Sequence, residues 1–167
     1  MPPINFIFGA EKKKIIEKLG YYGIKDIPHL LIESGKEKIR GYTGSLSTQE
    51  LIQLNQAVGI QLAGLYLFHD YGKEENLRLS FDAISSSELK SQITKNILEI
   101  SEENEKEFLK GHDIALSKEE KEFLEKQGET LGFKIVKSKK ANEFLGTGKL
   151  TQEGRIVNYM PKERRIL

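Results

Sequence analysis

From Ala10 to Leu19, Ile15, Ile16 and Leu19 lie on one side of a helical turn and Lys12, Lys13, Lys14 and Lys18 lie largely outside. Gly9 and Gly20 bracket this helix, the second as a C′ glycine. His29–Glu33 and Lys38–Tyr42 read as two strands joined by a turn around Gly35-Lys36. Ser47-Thr48-Gln49-Glu50 is a capping box that opens a helix with Leu51, Leu54 and Val58 on one face. Leu62–Phe68 is nearly all apolar and predicts a central strand buried on both faces. Leu77, Leu79, Phe81 and Ala83 alternate with Arg78, Ser80 and Asp82, which predicts a half-exposed strand linked to it through a Gly72-Lys73 turn. Ser85-x-x-Glu88 caps a short helix through Leu89 and Ile93. These residues describe an α+β unit of three helices and four strands.

A second unit follows. Asn96–Ile100 reads as a strand, and Ser101-Glu102-Glu103 opens a helix with carboxylates at its positive end, reaching Phe108-Leu109 and stopping at Gly111. Ser117-x-x-Glu120 caps another helix holding Phe123 and Leu124. Beyond Gly128 the period changes to strands at Thr130–Lys137, Glu143–Leu150 and Arg155–Met160, with turns at Lys139–Asn142 and Gln152–Gly154. Short strands so spaced predict a small β-barrel. The fold class is therefore α+β, with a mixed α/β domain over residues 1–93 and a barrel-like domain over 94–167. Neither an internal repeat nor a low-complexity tract is visible.

Charge changes this picture more than composition does. The 26 Lys+Arg and 25 Asp+Glu of the 167 residues give a net charge of +1, which by itself argues against a nucleic-acid binder. The sum hides an uneven distribution. Residues 1–98 carry 12 basic and 11 acidic side chains, residues 99–131 carry 5 and 11, and residues 132–167 carry 9 and 3. An acidic segment followed by a basic tail points either to an anionic partner or to two neighbouring segments that attract each other. The Lys-rich, Cys-free and Trp-free composition is compatible with a thermophile. The lysines of the opening MPPINFIFGAEKKK follow a short apolar stretch, the reverse of a secretory signal, so a cytoplasmic location is expected.

Catalytic motifs are weak. The chain has no cysteine, which removes disulfides, thiolate metal sites and every cysteine nucleophile. His29, His69 and His112 are scattered without metal-ligand spacing, and the pairs His69-Asp70 and His112-Asp113 fall at element ends, where both residues are common caps. No nucleophile elbow occurs. Gly146-Thr147-Gly148-Lys149-Leu150 lacks the spacing of a phosphate loop and precedes a turn, while Gly41-Tyr42-Thr43-Gly44 lies between a strand and a helix. No dinucleotide fingerprint is present, and no cofactor or metal is expected. The reading is of a protein that is not an enzyme.

The C-terminal constellation carries more. Lys149, Arg155, Lys162, Arg164 and Arg165 cluster on the last two strands and the tail with Tyr159 among them, and Lys134, Lys137, Lys139 and Lys140 lie on the neighbouring strand and loop. Cations supply phosphate contacts, and an exposed aromatic can stack a base. Edge-strand lysines that block sheet-to-sheet aggregation are the other reading of the same residues.

The stretch FLKGHDIAL and the following ETLGFKIVKSKKANEFLGTGKLTQEGRIVNYMPKERR resemble a PUA RNA-binding domain, in particular the tail of the Sun/Fmu class of RNA cytosine-5 methyltransferases. The matching positions are Leu145, Gly146, Gly148, Lys149, Asn158, Pro161, Lys162, Arg164 and Arg165, together with a helix-ending Lys110-Gly111 step. The first part is similar, more loosely, to the N-terminal domain of Nip-type ribosome-biogenesis factors, through LAGLYLFHDYGKEENLRLSFDAI. Stand-alone archaeal proteins of this two-domain kind are grouped with the Nol/Nop/Sun family. The resemblance implies RNA binding in ribosome biogenesis or in rRNA or tRNA modification, through one groove formed by Lys110, Gly111, His112, Lys149, Arg155, Tyr159, Lys162, Arg164 and Arg165. It also implies that Gly111 permits close approach of backbone to RNA. The partners implied are structured RNA and a pre-ribosomal particle or RNA methyltransferase, with no membrane. The family's methyltransferases attack cytosine with a cysteine thiolate and hold S-adenosylmethionine in a separate domain. With neither the thiol nor that domain's fingerprint here, self-contained methylation is excluded. A protein-interaction adaptor that docks through the N-terminal domain is the alternative.

Overall fold

The computed structural model describes residues 4–35, 37–74, 76–126, 128 and 131–167; Lys36 of the expected turn and Thr130 of the expected strand lie outside them. The chain forms two compact units, Met1–Ile93 and Thr94–Leu167.

The first unit runs β1 (Asn5–Ile7), α1 (Gly9–Leu19), β2 (Leu30–Ser34), β3 (Lys38–Tyr42), α2 (Thr48–Val58), β4 (Leu65–His69), β5 (Arg78–Leu79), α3 (Phe81–Ser85) and α4 (Ser87–Lys90). Its strands make one antiparallel sheet in the order β1-β2-β3-β4-β5. Leu31, Leu67, Phe68, Leu77 and Leu79 from the sheet region bury with Ile15 and Leu19 of α1 and Ala83, Ile84 and Leu89 of the short helices. The Tyr22 hydroxyl reaches this core by donating to the Leu77 carbonyl at 2.7 Å, and burial raises its pKa well above the ordinary tyrosine value.

Local polar bonds explain where elements begin. The Ser47 hydroxyl accepts from the Glu50 amide at 3.2 Å, and the Glu50 carboxylate accepts from the Ser47 amide at 2.7 Å, which is the expected reciprocal box. Several expectations fail for equally local reasons. The alternating stretch from Leu77 does not continue as a strand, because the Ser80 hydroxyl accepts from the Ala83 amide and starts α3. The next helix has its N-cap position at Ser86 rather than Ser85, without a side-chain bond to the helix amides. Gly20 keeps a right-handed backbone and extends α1 into a 3-10 turn, and the left-handed glycine is Gly23, at φ 91°. The strand predicted from Leu62 starts at Leu65, and Leu54, Val58, Leu62 and Leu65 stay exposed while Leu51 is buried.

The second unit runs β6 (Ile97–Ile100), α5 (Glu102–Leu109), β7 (Ile114–Ala115), α6 (Lys118–Lys126), β8 (Gly132–Ser138), β9 (Phe144–Leu150) and β10 (Arg155–Asn158). The five strands form a sheet in the order β6-β8-β9-β10-β7, curled into a half-barrel. All its pairings are antiparallel except β6 with β8. The class is α+β with a PUA-like second unit.

Glu120, almost wholly buried, joins the starts of both helices of this unit. Its Oε1 accepts from the Ser101 amide, and its Oε2 accepts from the Ser117 amide and the Asn104 side chain, each at 2.7 Å. The expected Ser117–Glu120 cap is present, and the bond to Ser101 extends it across the fold. No helix among the described residues is long and apolar enough to cross a membrane.

Candidate nucleic-acid interface

The C-terminal end of α5 is built by a Schellman turn. Gly111, at φ 87°, donates its amide to Phe108, and the His112 amide donates to Glu107. A residue with a Cβ is strained at that backbone angle. The turn leaves the Phe108 and His112 carbonyls pointing toward the end of β10, where a single side chain meets them. Asn158 Nδ2 donates to Phe108 at 2.7 Å and to His112 at 2.9 Å. The Asn158 amide donates to Asp113 Oδ1 at 2.8 Å, and Asn158 Oδ1 accepts from the Met160 amide at 2.7 Å. Asn158 thus staples the helix end to the strand.

Pro161 then opens a 3-10 turn over Lys162–Arg164. The Ile166 amide returns to the Leu109 carbonyl at 3.0 Å. Arg165 donates through Nε and Nη2 to the Met160 carbonyl, both at 3.2 Å. A Cβ built on Gly111 would sit 2.3 Å from Arg165 Nε. The space that Gly111 leaves open is filled by the guanidinium of this same chain.

Glu107 sets the electrostatics of this corner. Its carboxylate accepts from Lys110 Nζ at 2.8 Å and meets His112 Nδ1 at 2.7 Å. Those two bonds hold its pKa below the usual glutamate value. Lys162, Arg164 and Arg165 are exposed.

A second group lies on the sheet. Antiparallel pairing sets Phe133 opposite Lys149 and Lys149 opposite Val157, so the three share a face. Lys149 Nζ lies 5.4 Å from the centre of the Phe133 ring, a cation–π distance, and Tyr159 meets the same ring edge-on at 6.0 Å. Arg155 pairs with Ala115 at the other end of β10 and lies three residues, about 10 Å, from Asn158. The structure therefore gathers Lys110, Gly111, His112 and Arg165 at the helix end, with Lys162 and Arg164 on the adjoining turn. Lys149 and Tyr159 form a separate group, and Arg155 stands apart.

The two glycines of Leu145-Gly146-Thr147-Gly148-Lys149 are packing residues. A Cβ on Gly146 would come within 3.0 Å of the Phe108 ring, and one on Gly148 within 2.2 Å of Ile156. The neighbouring lysines divide. Lys134, expected in the basic patch, is fully buried, and its ammonium donates to Asn96 Oδ1 at 2.7 Å. Lys137 pairs with Glu99 and Lys140 with Glu102, both at 3.2 Å. Part of the acidic segment thus neutralises part of the basic one within the unit.

The role of Asn158 as a four-bond staple and the neutralisation of Lys110 by Glu107 escaped the sequence reading. The second has a local signature, a glutamate three residues before a lysine on a helix. The first has none, because three of its four bonds reach residues 45 to 50 positions away. Among the described residues no group of three or more His, Asp or Glu side chains is arranged to hold a metal ion.

Residues 95–166 match the family model described as the methyltransferase RsmF PUA domain. No curated protein matches the chain. The match spans the staple, the helix-end glycine and the basic turn together, and the second unit is a PUA-type domain similar to the tail of Sun-type RNA methyltransferases.

Proposed function

We propose that the chain binds structured RNA through the corner formed by the end of α5, the end of β10 and the basic 3-10 turn. On this reading it serves as a non-catalytic accessory in ribosome biogenesis or in rRNA or tRNA modification, in the cytoplasm. The observation that carries the reading is the convergence of Lys110, His112, Lys162, Arg164 and Arg165 around a helix end pinned by Asn158, inside the region that matches the PUA family model. Basic side chains around a pinned helix end position phosphates, and base selectivity falls to backbone groups. The absence of cysteine supports a non-catalytic role, since the family's cytosine chemistry needs a thiolate.

Lys149 and Tyr159 contribute to the same RNA on this reading, from the sheet face, and Arg155 extends the contact along β10. Arg165 has a double duty: it packs on Gly111 and faces solvent. The cleaner probes are therefore Lys162 and Arg164, whose side chains lie on the exposed turn.

The test is RNA affinity of the full chain measured across a salt series, with RNA crosslinked to the protein in its own cells as the ligand source. About five phosphate contacts give a slope of log K against log salt near −4. Lys162→Ala should lower that slope by about 1. A flat salt response, or unchanged affinity after Lys162→Glu combined with Arg164→Glu, overturns the reading. Co-sedimentation with ribosomal subunits at low salt, lost at high salt, supports the biogenesis role.

A further inference from the structure

The unit Met1–Ile93 holds a cavity of about 360 Å³ lined by α1 and its sheet, inside the roughly 300–1,000 Å³ range of small-molecule sites. Glu11, Lys14, Ile15 and Lys18 recur at the i, i+3, i+4 and i+7 positions of α1 and form one wall. Glu33 pairs with Ile39 on one side and with Asn5 on the other, and Ile7 lies two residues beyond Asn5. Ile7, Glu33 and Ile39 therefore share one sheet face, and they form the second wall. Glu37 and the stretch from Asp70 to Gly72, just beyond β4, complete the lining. A helix ordinarily turns an apolar stripe toward a sheet. Here Ile15 is buried with Ile7 and Ile39, but the other three positions of the stripe are charged. The charged side chains of the lining are half-buried or exposed, so the cavity is apolar within and charged at its mouth.

The charges decide the sign of what fits. Lys18 is spent on Asp70 at 3.0 Å, and the other Asp70 oxygen accepts from the Gly72 amide at 2.8 Å. That leaves the carboxylates of Glu11, Glu33 and Glu37 against one ammonium, Lys14. Glu37 meets His69 at 3.0 Å, and burial holds that imidazole's pKa below 6.5, so near pH 7 it does not cancel the charge. Two groups of the lining are held from behind: Glu37 by His69, and Tyr71 by Arg78, whose Nε donates to its hydroxyl at 3.0 Å. Such preorganisation lowers the cost of binding. An aromatic ring in the same lining as carboxylates suits a cation. A bare metal ion is poorly served, since among the described residues no three carboxylates or imidazoles are arranged to hold one. We infer that this cavity binds a small organic cation, an ammonium or guanidinium group on a short hydrocarbon stem. The stem lies over Ile7, Ile15 and Ile39, and the charge lies among Glu11, Glu33, Glu37 and the Tyr71 ring. That chemistry belongs to a free aliphatic amine or to an arginine side chain offered by another chain.

The experiment is a backbone-amide NMR titration of the full chain with agmatine, which carries a guanidinium and an ammonium on one short stem. Saturable shifts should gather on α1, around Glu33, Glu37 and Ile39, and at Asp70 to Gly72. Glu11→Gln with Glu33→Gln keeps shape and removes charge, and should weaken binding by about 10-fold or more. Lys14→Gln should tighten it, and 1-pentanol, a stem without charge, should bind more weakly than agmatine. Circular dichroism confirms that each variant is folded. N-acetylarginine amide separates the two sources: tighter binding than agmatine assigns the site to an arginine of another chain, and weaker binding assigns it to a free amine. No saturable shift with either compound up to about 10 mM overturns the inference. So does an affinity unaltered by the double glutamine variant, or Mg²⁺ that produces the same shifts and displaces agmatine. None of these outcomes bears on RNA affinity, which the Lys162 and Arg164 variants report separately.

Discussion

In the unit Thr94–Leu167 the principal polar side chains bond to backbone. Asn158 spends both amide protons and its oxygen on main-chain groups, and Glu120 holds the first amides of two helices. In the unit Met1–Ile93 the largest polar group bonds side chain to side chain. Glu37 meets His69 Nε2, His69 Nδ1 meets the Tyr66 hydroxyl, and Arg78 donates to the hydroxyls of both Tyr66 and Tyr71, every distance being 3.0 Å. The β-bulge between β3 and β4 makes this second arrangement possible. It pairs Arg40 with Tyr66 but Lys38 with His69, so Tyr66 and His69, three residues apart, share a face. The contrast is one of what is being fixed. Backbone staples fix where the chain goes, whereas a side-chain relay fixes the ionisation and orientation of its own members.

The sharpest way to break the comparison is at Asn158. Asn158→Leu leaves the His112 carbonyl and the Met160 amide without their side-chain partner, takes one of its donors from the Phe108 carbonyl, and should destabilise the C-terminal unit by about 3 kcal/mol, read by hydrogen exchange of the full chain. Exchange on the N-terminal sheet should be unaltered, and a uniform loss across both units would contradict a local staple. Glu120→Gln is milder, since one oxygen remains to accept. It should cost about 2 kcal/mol and speed exchange at the starts of both α5 and α6. An effect confined to α6 would reduce Glu120 to an ordinary capping residue.

The smallest expected effect sharpens the other side. Burial lowers the pKa of His29 and of His69 below 6.5, and nearby Arg78 reinforces the shift at His69 against the opposing pull of Glu37. Both imidazoles are therefore neutral in the fold at a pH where they are already protonated in the unfolded chain. Their contribution is present in full above pH 6.5 and is lost as pH falls through the lower folded values. Acidification from about pH 7.5 to about 5.5 should destabilise the N-terminal unit, and His29→Gln with His69→Gln should flatten that part of the dependence. An unaltered pH profile in the double variant would remove the histidines from the account.

What was legible in the sequence is what is decided within four residues. The Ser47–Glu50 and Ser117–Glu120 boxes and the Ser101 cap each stand where the spacing puts them. The PUA resemblance rested on glycines and an asparagine whose reasons emerge only in three dimensions: Gly146 against Phe108, Gly148 against Ile156, Asn158 against the α5 turn. Misreadings came where two local rules competed. Alternation predicted a strand through Ala83, and the Ser80 cap prevailed. Strand periodicity gave Lys134 to the surface, but its neighbours Phe133 and Ile135 are buried as well, so both faces of this stretch of β8 are covered. Strands β1 and β7, of three and two residues, carry too little pattern to register. Glu37 illustrates the remaining limit: nothing near it in sequence announces that its partner is His69, 32 residues on.

The order β6-β8-β9-β10-β7 has a consequence for how the second unit comes into being. Its two outermost strands are the first to be synthesised, and the three central ones are the last. While residues 97–126 emerge, β6 and β7 have no neighbour to zip onto, and only α5 and α6 can gain from contacts local in sequence. The hairpins β8–β9 and β9–β10, whose partners are close along the chain, are the natural nucleus, and the waiting strands dock on either flank. Both waiting strands close long loops, β6 at 38 residues from its parallel partner and β7 at 40 to 42 from β10. A ribosome-stalled chain ending before β8 should therefore hold its helices without its sheet.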